Sequence, residues 1–297
     1  MRISRGSLVT VVAVLAMAAI LGSACAAPAP PPVPPPVPEP NQSPVISKIT
    51  ANPAEVLYGD STTIIGVVAD PDDDPITYSW SATEGTITGT GRQVTWVAPD
   101  KSGNFNIALT ARDNRDGQTA GSVTVTVSPP TKTITLNPVA SETGTVYQNN
   151  ATDYSRTMAG DNAQNVGCRA FWSFDTSSLA GKNIQNASLK FTTGRIFGDP
   201  FSYMPPSGLG GLWLWKDTYG SGMLPVFGYV GAKLIDTGLI YAPPTVVDVT
   251  IEVKLPCSFA CSRFQVEALF NKVSNGNATA NMIEWSSVVL EVTYSVQ

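Results

Sequence analysis

The 297-residue sequence contains no histidine. That excludes Ser–His and Cys–His nucleophilic catalysis, His-ligated zinc and imidazole acid–base chemistry. Charge is scarce as well. Asp, Glu, Lys and Arg make up 14 % of residues, the net charge is −5, and no basic cluster is present. Nothing here would hold the phosphates of a nucleic acid. A long apolar run is also missing, since Leu8 to Leu21 falls short of the roughly 20 residues needed to cross a bilayer. Chemistry run by carboxylates alone remains open.

What is present begins with a leader. Arg2 and Arg5 precede the apolar run, and small residues and Cys25 follow it, in the order of a signal peptide. Removing residues 1–24 takes away two positive charges and no acid, moving the net charge from −5 to −7. Gly22-Ser23-Ala24-Cys25 resembles the lipobox of bacterial lipoproteins, whose cysteine becomes the diacylated N-terminus. The resemblance implies a membrane anchor at Cys25. The family prefers Leu three places before the cysteine, and here Leu21 is four before it. Cleavage at Ala24-Cys25-Ala26 would instead leave a secreted, unanchored protein. Ten prolines between Pro28 and Pro44 favour extended polyproline II, which cannot pack a core. Residues 25–44 therefore read as a linker or stalk, of reach about 50 Å at about 3.1 Å per residue.

From 45 to 129, strand-like runs alternate with turn signals: Val45–Thr50, Ser61–Val68, Ile76–Ser81, Gln93–Ala98, Asn104–Arg112 and Gly121–Ser128. Such spacing without a helical period predicts a small all-β sandwich. Ala69-Asp70-Pro71-Asp72-Asp73-Asp74-Pro75-Ile76-Thr77-Tyr78-Ser79-Trp80 resembles the signature of PKD and related Ig-like bacterial surface modules. Trp96-Val97-Ala98-Pro99, Gly103-Asn104-Phe105 and Ala111-Arg112-Asp113-Asn114 fall where that pattern places them. True PKD repeats carry Phe-Gly-Asp-Gly after the tryptophan. Ser81-Ala82-Thr83 stands here instead, which points to the broader Ig-like set. Trp80 is the expected core tryptophan. The clustered Asp70, Asp72 and Asp74, with Asp113 on another loop, offer the oxygen ligands that calcium prefers. The other reading is a solvated acidic turn set by Pro71 and Pro75.

Residues 132–297 read as a larger β-sandwich. Thr133–Val139 and Gly144–Gln148 are expected strands, and Asn149–Asn165 an expected loop. Phe171, Ser173 and Asp175 then alternate with Trp172 and Phe174. Ser178–Lys182 turns the chain, and Ala187, Leu189 and Phe191 resume the alternation of a strand pair. Arg169-Ala170-Phe171-Trp172-Ser173-Phe174-Asp175, Ser178-Leu179 and Ile184-Gln185-Asn186-Ala187-Ser188-Leu189 resemble the DNRLRE-type and disaggregatase-related extracellular modules. That resemblance implies a jelly-roll-like, carbohydrate-binding-like sandwich, with no catalytic residue to carry over. Asp175 is expected to cap the turn near Ser177, and Arg169 to pair with a carboxylate. In Leu212-Trp213-Leu214-Trp215, a strand would put both tryptophans on one face. Trp213, Trp215, Tyr219 and Tyr203 could stack on sugar rings, or the tryptophan face could be packed away, as large aromatics in sandwiches usually are. Val246–Leu255 is an expected strand. Cys257 and Cys261 read as a disulfide in an exported protein, against pairings that use Cys168. Phe264 to Phe270 alternates as a strand.

These readings describe an all-β, non-catalytic surface protein: signal peptide 1–24, linker 25–44, Ig-like unit 45–129 and terminal sandwich 132–297. It would be lipid-anchored and meet a glycan or protein partner, with no nucleic acid. One alternative is a structural subunit of a surface layer or filament. Another is a carboxylate-dependent glycan-degrading enzyme drawing on Asp153, Asp161, Asp199, Asp217 and Asp248, although no spacing singles out a pair.

Overall fold

A computed structural model describes residues 39–203, 208–227, 233–235, 238–258 and 261–296. Cys25 and most of the proline-rich run lie outside them. The fold is all-β: one helix and two short 3-10 turns accompany the strands among the described residues. Among the described residues, no helix is long and apolar enough to cross a membrane.

The first eight strands are β1 (Val45–Asn52), β2 (Glu55–Leu57), β3 (Ser61–Ala69), β4 (Thr77–Ala82), β5 (Thr86–Thr88), β6 (Gln93–Val97), β7 (Gly103–Arg112) and β8 (Gln118–Ser128). They form two four-stranded sheets, ordered β1-β3-β6-β5 and β2-β8-β7-β4. Ile64, Val94 and Trp96 from the first sheet meet Phe105, Ile107, Val125 and Val127 from the second in one core. The alternates Gln118, Ala120, Ser122 and Thr124 of β8 face outward, as period two requires. Trp96 is fully buried in this core, and Trp80 packs against it. Trp80 lies on the edge strand β4 and is half-buried, its indole N–H donated to the Gly91 carbonyl at 2.9 Å. The Trp96 N–H goes to the Glu84 carbonyl at 2.9 Å. Gly85, with φ of +81°, makes room beside it, because a Cβ there would fall 2.6 Å from Trp96 Nε1.

The rest comprises β9 (Thr131–Leu136), β10 (Gly144–Tyr147), β11 (Thr152–Asp153), β12 (Thr157–Asp161), β13 (Gly167–Asp175), β14 (Asn183–Phe197), β15 (Leu212–Asp217), β16 (Lys233–Leu234), β17 (Val246–Asp248), helix α1 (Thr250–Cys257), β18 (Arg263–Phe270) and β19 (Asn281–Ser295). The hydrogen-bonded path runs β16-β15-β18-β13-β12-β19-β14-β17, with β10 on β13, β11 on β10 and β9 on β19. This sheet closes over itself. Strands β13 and β14 are three spacings apart along the path, about 14 Å if it were flat. Yet the Trp172 ring lies 5.7 Å from that of Phe191 on β14 and 5.1 Å from that of Trp285 on β19. The apolar faces of β13, β15 and β18 therefore pack onto those of β14 and β19, and the enclosed core includes Phe174, Leu189, Leu212, Leu214, Phe264 and Val266.

Two expectations change. Asn149–Asn165 is not wholly loop, since it contains β11 and β12; β12 bridges the two halves by pairing with both β13 and β19. Val246–Leu255 is a strand only to Asp248, after which the chain becomes α1. Asp248 Oδ1 accepts the Thr250 N–H at 2.8 Å and its hydroxyl at 2.6 Å. That satisfies a backbone donor at the start of the helix and turns the chain out of the sheet. Phe264 to Phe270 is strand β18, as its alternation predicts.

Candidate functional site

The acidic turn follows β3. Asp70 Oδ1 accepts the N–H groups of Asp72 (2.9 Å) and Asp74 (3.1 Å), an arrangement that aspartate favours in turns. Asp70, Asp72 and Asp74 offer carboxylate oxygens within 4.8 Å of one another. The cation they meet is Arg115. Its Nη2 lies 2.5 Å from Asp74 Oδ2 and 3.4 Å from Asp72 Oδ2, and its Nε donates to Asp74 Oδ2 at 2.7 Å. Asp113 lies on the Arg115 loop, where its Oδ1 accepts the N–H groups of Arg115 (2.7 Å) and Gly117 (2.8 Å). Gln42, where the chain enters the domain, donates its backbone N–H to Asp72 Oδ2 at 2.7 Å.

The four aromatic candidates do not form one surface. Leu212 and Leu214 are fully buried in the core. Trp213 and Trp215 are half-buried on the opposite face of β15, registered against Leu269 and Glu267 of β18. Tyr219 is half-buried and turned inward: its ring meets Phe171 edge-on at 5.5 Å and its hydroxyl donates to the Glu142 carbonyl at 2.6 Å. Burial, and then the nearby Asp217, push its pKa far up. Tyr203 is 71 % exposed and touches Tyr241, with ring centroids 6.4 Å apart.

A polar network covers the outer face of β13. Glu142, almost fully buried, accepts hydrogen bonds from Ser173 Oγ (2.6 Å), Arg263 Nε (3.0 Å) and the Gly222 N–H (3.0 Å). Burial pushes its carboxyl up, but these bonds outweigh burial and leave it below the ordinary value. Arg169 pairs with the buried Glu267 at 2.9 Å. Asp175 Oδ1 accepts the Ser177 N–H at 3.0 Å, the capping role expected of it. Four of the five acids weighed for hydrolysis serve turns and loops. Asp153 binds Ser155 and Arg156, Asp161 the Asn275 N–H, Asp217 the Thr218 N–H, and Asp248 the Thr250 N–H. Cys257 is bonded to Cys261, and Cys168 is a buried free thiol. Burial, with Asp161 second, pushes the Cys168 pKa up to about 12.

No pattern in the sequence marks one concavity of the sandwich. It opens where segment 154–157 runs beside β19, with a volume of about 460 Å³. Trp172 and Trp285 line it, with Tyr154, Arg156, Glu284 and Ser286 among the polar groups. Glu284 is the only carboxylate among the described residues that line it. The Tyr154 hydroxyl accepts the Leu224 N–H at 3.3 Å, which fixes a ring that is 47 % exposed. The Arg156 Nε is held by Asp153 at 3.0 Å.

Residues 52–127 match the family model described as the K319L-like PKD domain, so the first sandwich contains a PKD-like domain. No curated protein matches the chain. Among solved structures, it is similar to a nucleoside hydrolase-related hypothetical protein from Saccharophagus degradans, associated with carbohydrate metabolism. There the identity is 22 % over 30 % of this chain, with a TM-score of 0.25, and the chain spans only 26 % of that protein. It is also similar to carbohydrate-binding modules of the β-sandwich superfamily with promiscuous specificity, at 10 % identity and TM-score 0.32, covering 87 % of this chain and 94 % of that one. The adhesin InvE of Yersinia pseudotuberculosis follows, at 12 % identity and TM-score 0.24, covering 76 % and 51 %. Superpositions this loose assign neither ligand nor partner.

Proposed function

We propose that this chain is a non-catalytic binding protein of the bacterial cell surface. Its terminal sandwich meets a glycan or a protein partner, and residues 25–44 act as a stalk leading from a lipid anchor at Cys25. One observation carries the binding reading over the hydrolytic one: among the described residues that line it, the cleft beside β19 holds aromatic and polar groups but a single carboxylate, Glu284. Glycoside hydrolysis ordinarily needs two carboxyls facing each other across the scissile bond. The test is incubation of the purified chain with native wall polysaccharide, with bound and released sugar both measured. Retention on the polymer or on an envelope protein, without new reducing ends, is expected. Release of reducing ends that disappears in Glu284→Gln would overturn the proposal.

A further inference from the structure

Resting on that binding reading, we infer that the cleft beside β19 takes an uncharged, hydroxyl-rich ligand, a pyranose unit of a neutral glycan. The inference comes from which hydrogen-bonding groups the cleft leaves unused. Three of its hydroxyls have already given their protons to the protein. Ser155 Oγ donates to Asp153 Oδ1 at 2.6 Å, Thr157 Oγ1 to the Trp285 carbonyl at 3.2 Å and Ser286 Oγ to the Thr192 carbonyl at 3.1 Å. Toward the cleft they offer lone pairs only. Glu284 is half-buried and makes no hydrogen bond or ion pair among the described residues, so its two oxygens are further acceptors. Thr143 Oγ1 accepts the Ser173 N–H at 3.2 Å and the Tyr154 hydroxyl accepts the Leu224 N–H, so both keep a proton to donate; the wall offers donors beside its acceptors, which suits hydroxyls that can do both.

The local charge then offers no excess that would hold an acidic sugar. Asp153 and Glu284 carry negative charge, and Arg156 and Arg195, which is registered opposite Glu284, carry positive charge. The bond to Asp153 raises the Arg156 pKa first, with Glu284 contributing at longer range. A uronate, sialate or sulfate would find no net positive charge among the described residues there. A neutral sugar needs none: its hydroxyls meet donors and acceptors alike, its oxygens can accept from the remaining Arg156 N–H groups, and its C–H face suits the pinned ring of Tyr154. The cleft volume of about 460 Å³ lies within the range of small-ligand sites.

The test uses the full chain on an array of neutral, uronate-bearing, sialylated and sulfated glycans. Tyr154→Ala and Glu284→Gln are compared with the unmodified chain, and circular dichroism checks folding. Binding confined to neutral glycans, weakened at least tenfold by each substitution, is the expected result. Preference for acidic glycans overturns the ligand class. Neutral-glycan binding that both variants retain, but Tyr241→Ala loses, overturns the site. If no glycan binds and an envelope protein co-purifies, the inference fails while the binding reading stands; if nothing binds at all, both fail.

Discussion

Glu142 shows how single side chains organise this sandwich. Its carboxylate ties Ser173 of β13, Arg263 of β18 and the 220–222 loop into one buried network. Folding holds its pKa below the ordinary carboxylate value. The stability it contributes is therefore complete above about pH 4.3, the unfolded value, and is lost as pH falls through the lower folded value. Glu142→Gln is expected to destabilise the protein at pH 7 by about 1.5–3 kcal/mol and to flatten the acid limb of stability, read by urea unfolding between pH 3 and 7. Cys168 gives a second residue-level test. With its pKa near 12 and its side chain buried, a Cys25→Ser chain with the Cys257–Cys261 bond intact should take up no thiol reagent when native and one equivalent in denaturant. At the acidic turn, Arg115 supplies the positive charge that a calcium ion would otherwise bring. Arg115→Gln should lower the melting temperature only slightly, since water screens an exposed arginine. Millimolar calcium should restore more of the melting temperature in the variant than in the unmodified chain.

At the scale of elements, β15 separates core from surface by alternation alone. Leu214→Ala removes a fully buried side chain and should cost about 2–5 kcal/mol, whereas Trp215→Ala on the half-buried face should cost clearly less; thermal unfolding of both distinguishes them. Such alternation was readable before any coordinates, which is why β13, β14, β15 and β18 stand where Phe171, Leu189, Leu214 and Phe264 place them. What could not be read was position across a sheet. Trp80 and Trp96 both look like strand tryptophans in sequence, and only pairing reveals that β4 is an edge and β6 is not. Helix α1 was missed for a different reason: Val247 to Leu255 alternates apolar residues with Asp248, Thr250, Glu252 and Lys254, the period of a strand, and the available signal was Asp248 placed two residues before Thr250, a capping pattern. The cleft was invisible because Arg156 and Glu284 lie far apart in sequence, and the first sits in a stretch that reads as featureless polar loop. The alternation of Ile283 and Trp285, followed by exposed Ser286 and Ser287, was the one local clue.

For the whole molecule, the proposed arrangement is a tethered surface module. Cys25→Ser should move the protein from the membrane fraction to the soluble extracellular fraction without changing its melting temperature, because residue 25 lies before the folded strands; fractionation and calorimetry test this together. The order of pairing has a further consequence. Strand β19 joins β9, β12 and β14, so it borders strands from both halves of the sandwich, yet it follows all of them in the chain. Until residues 281–295 are in place, the earlier strands lack the neighbour that closes them. If the chain is exported as proposed, that delay would keep it threadable while it crosses.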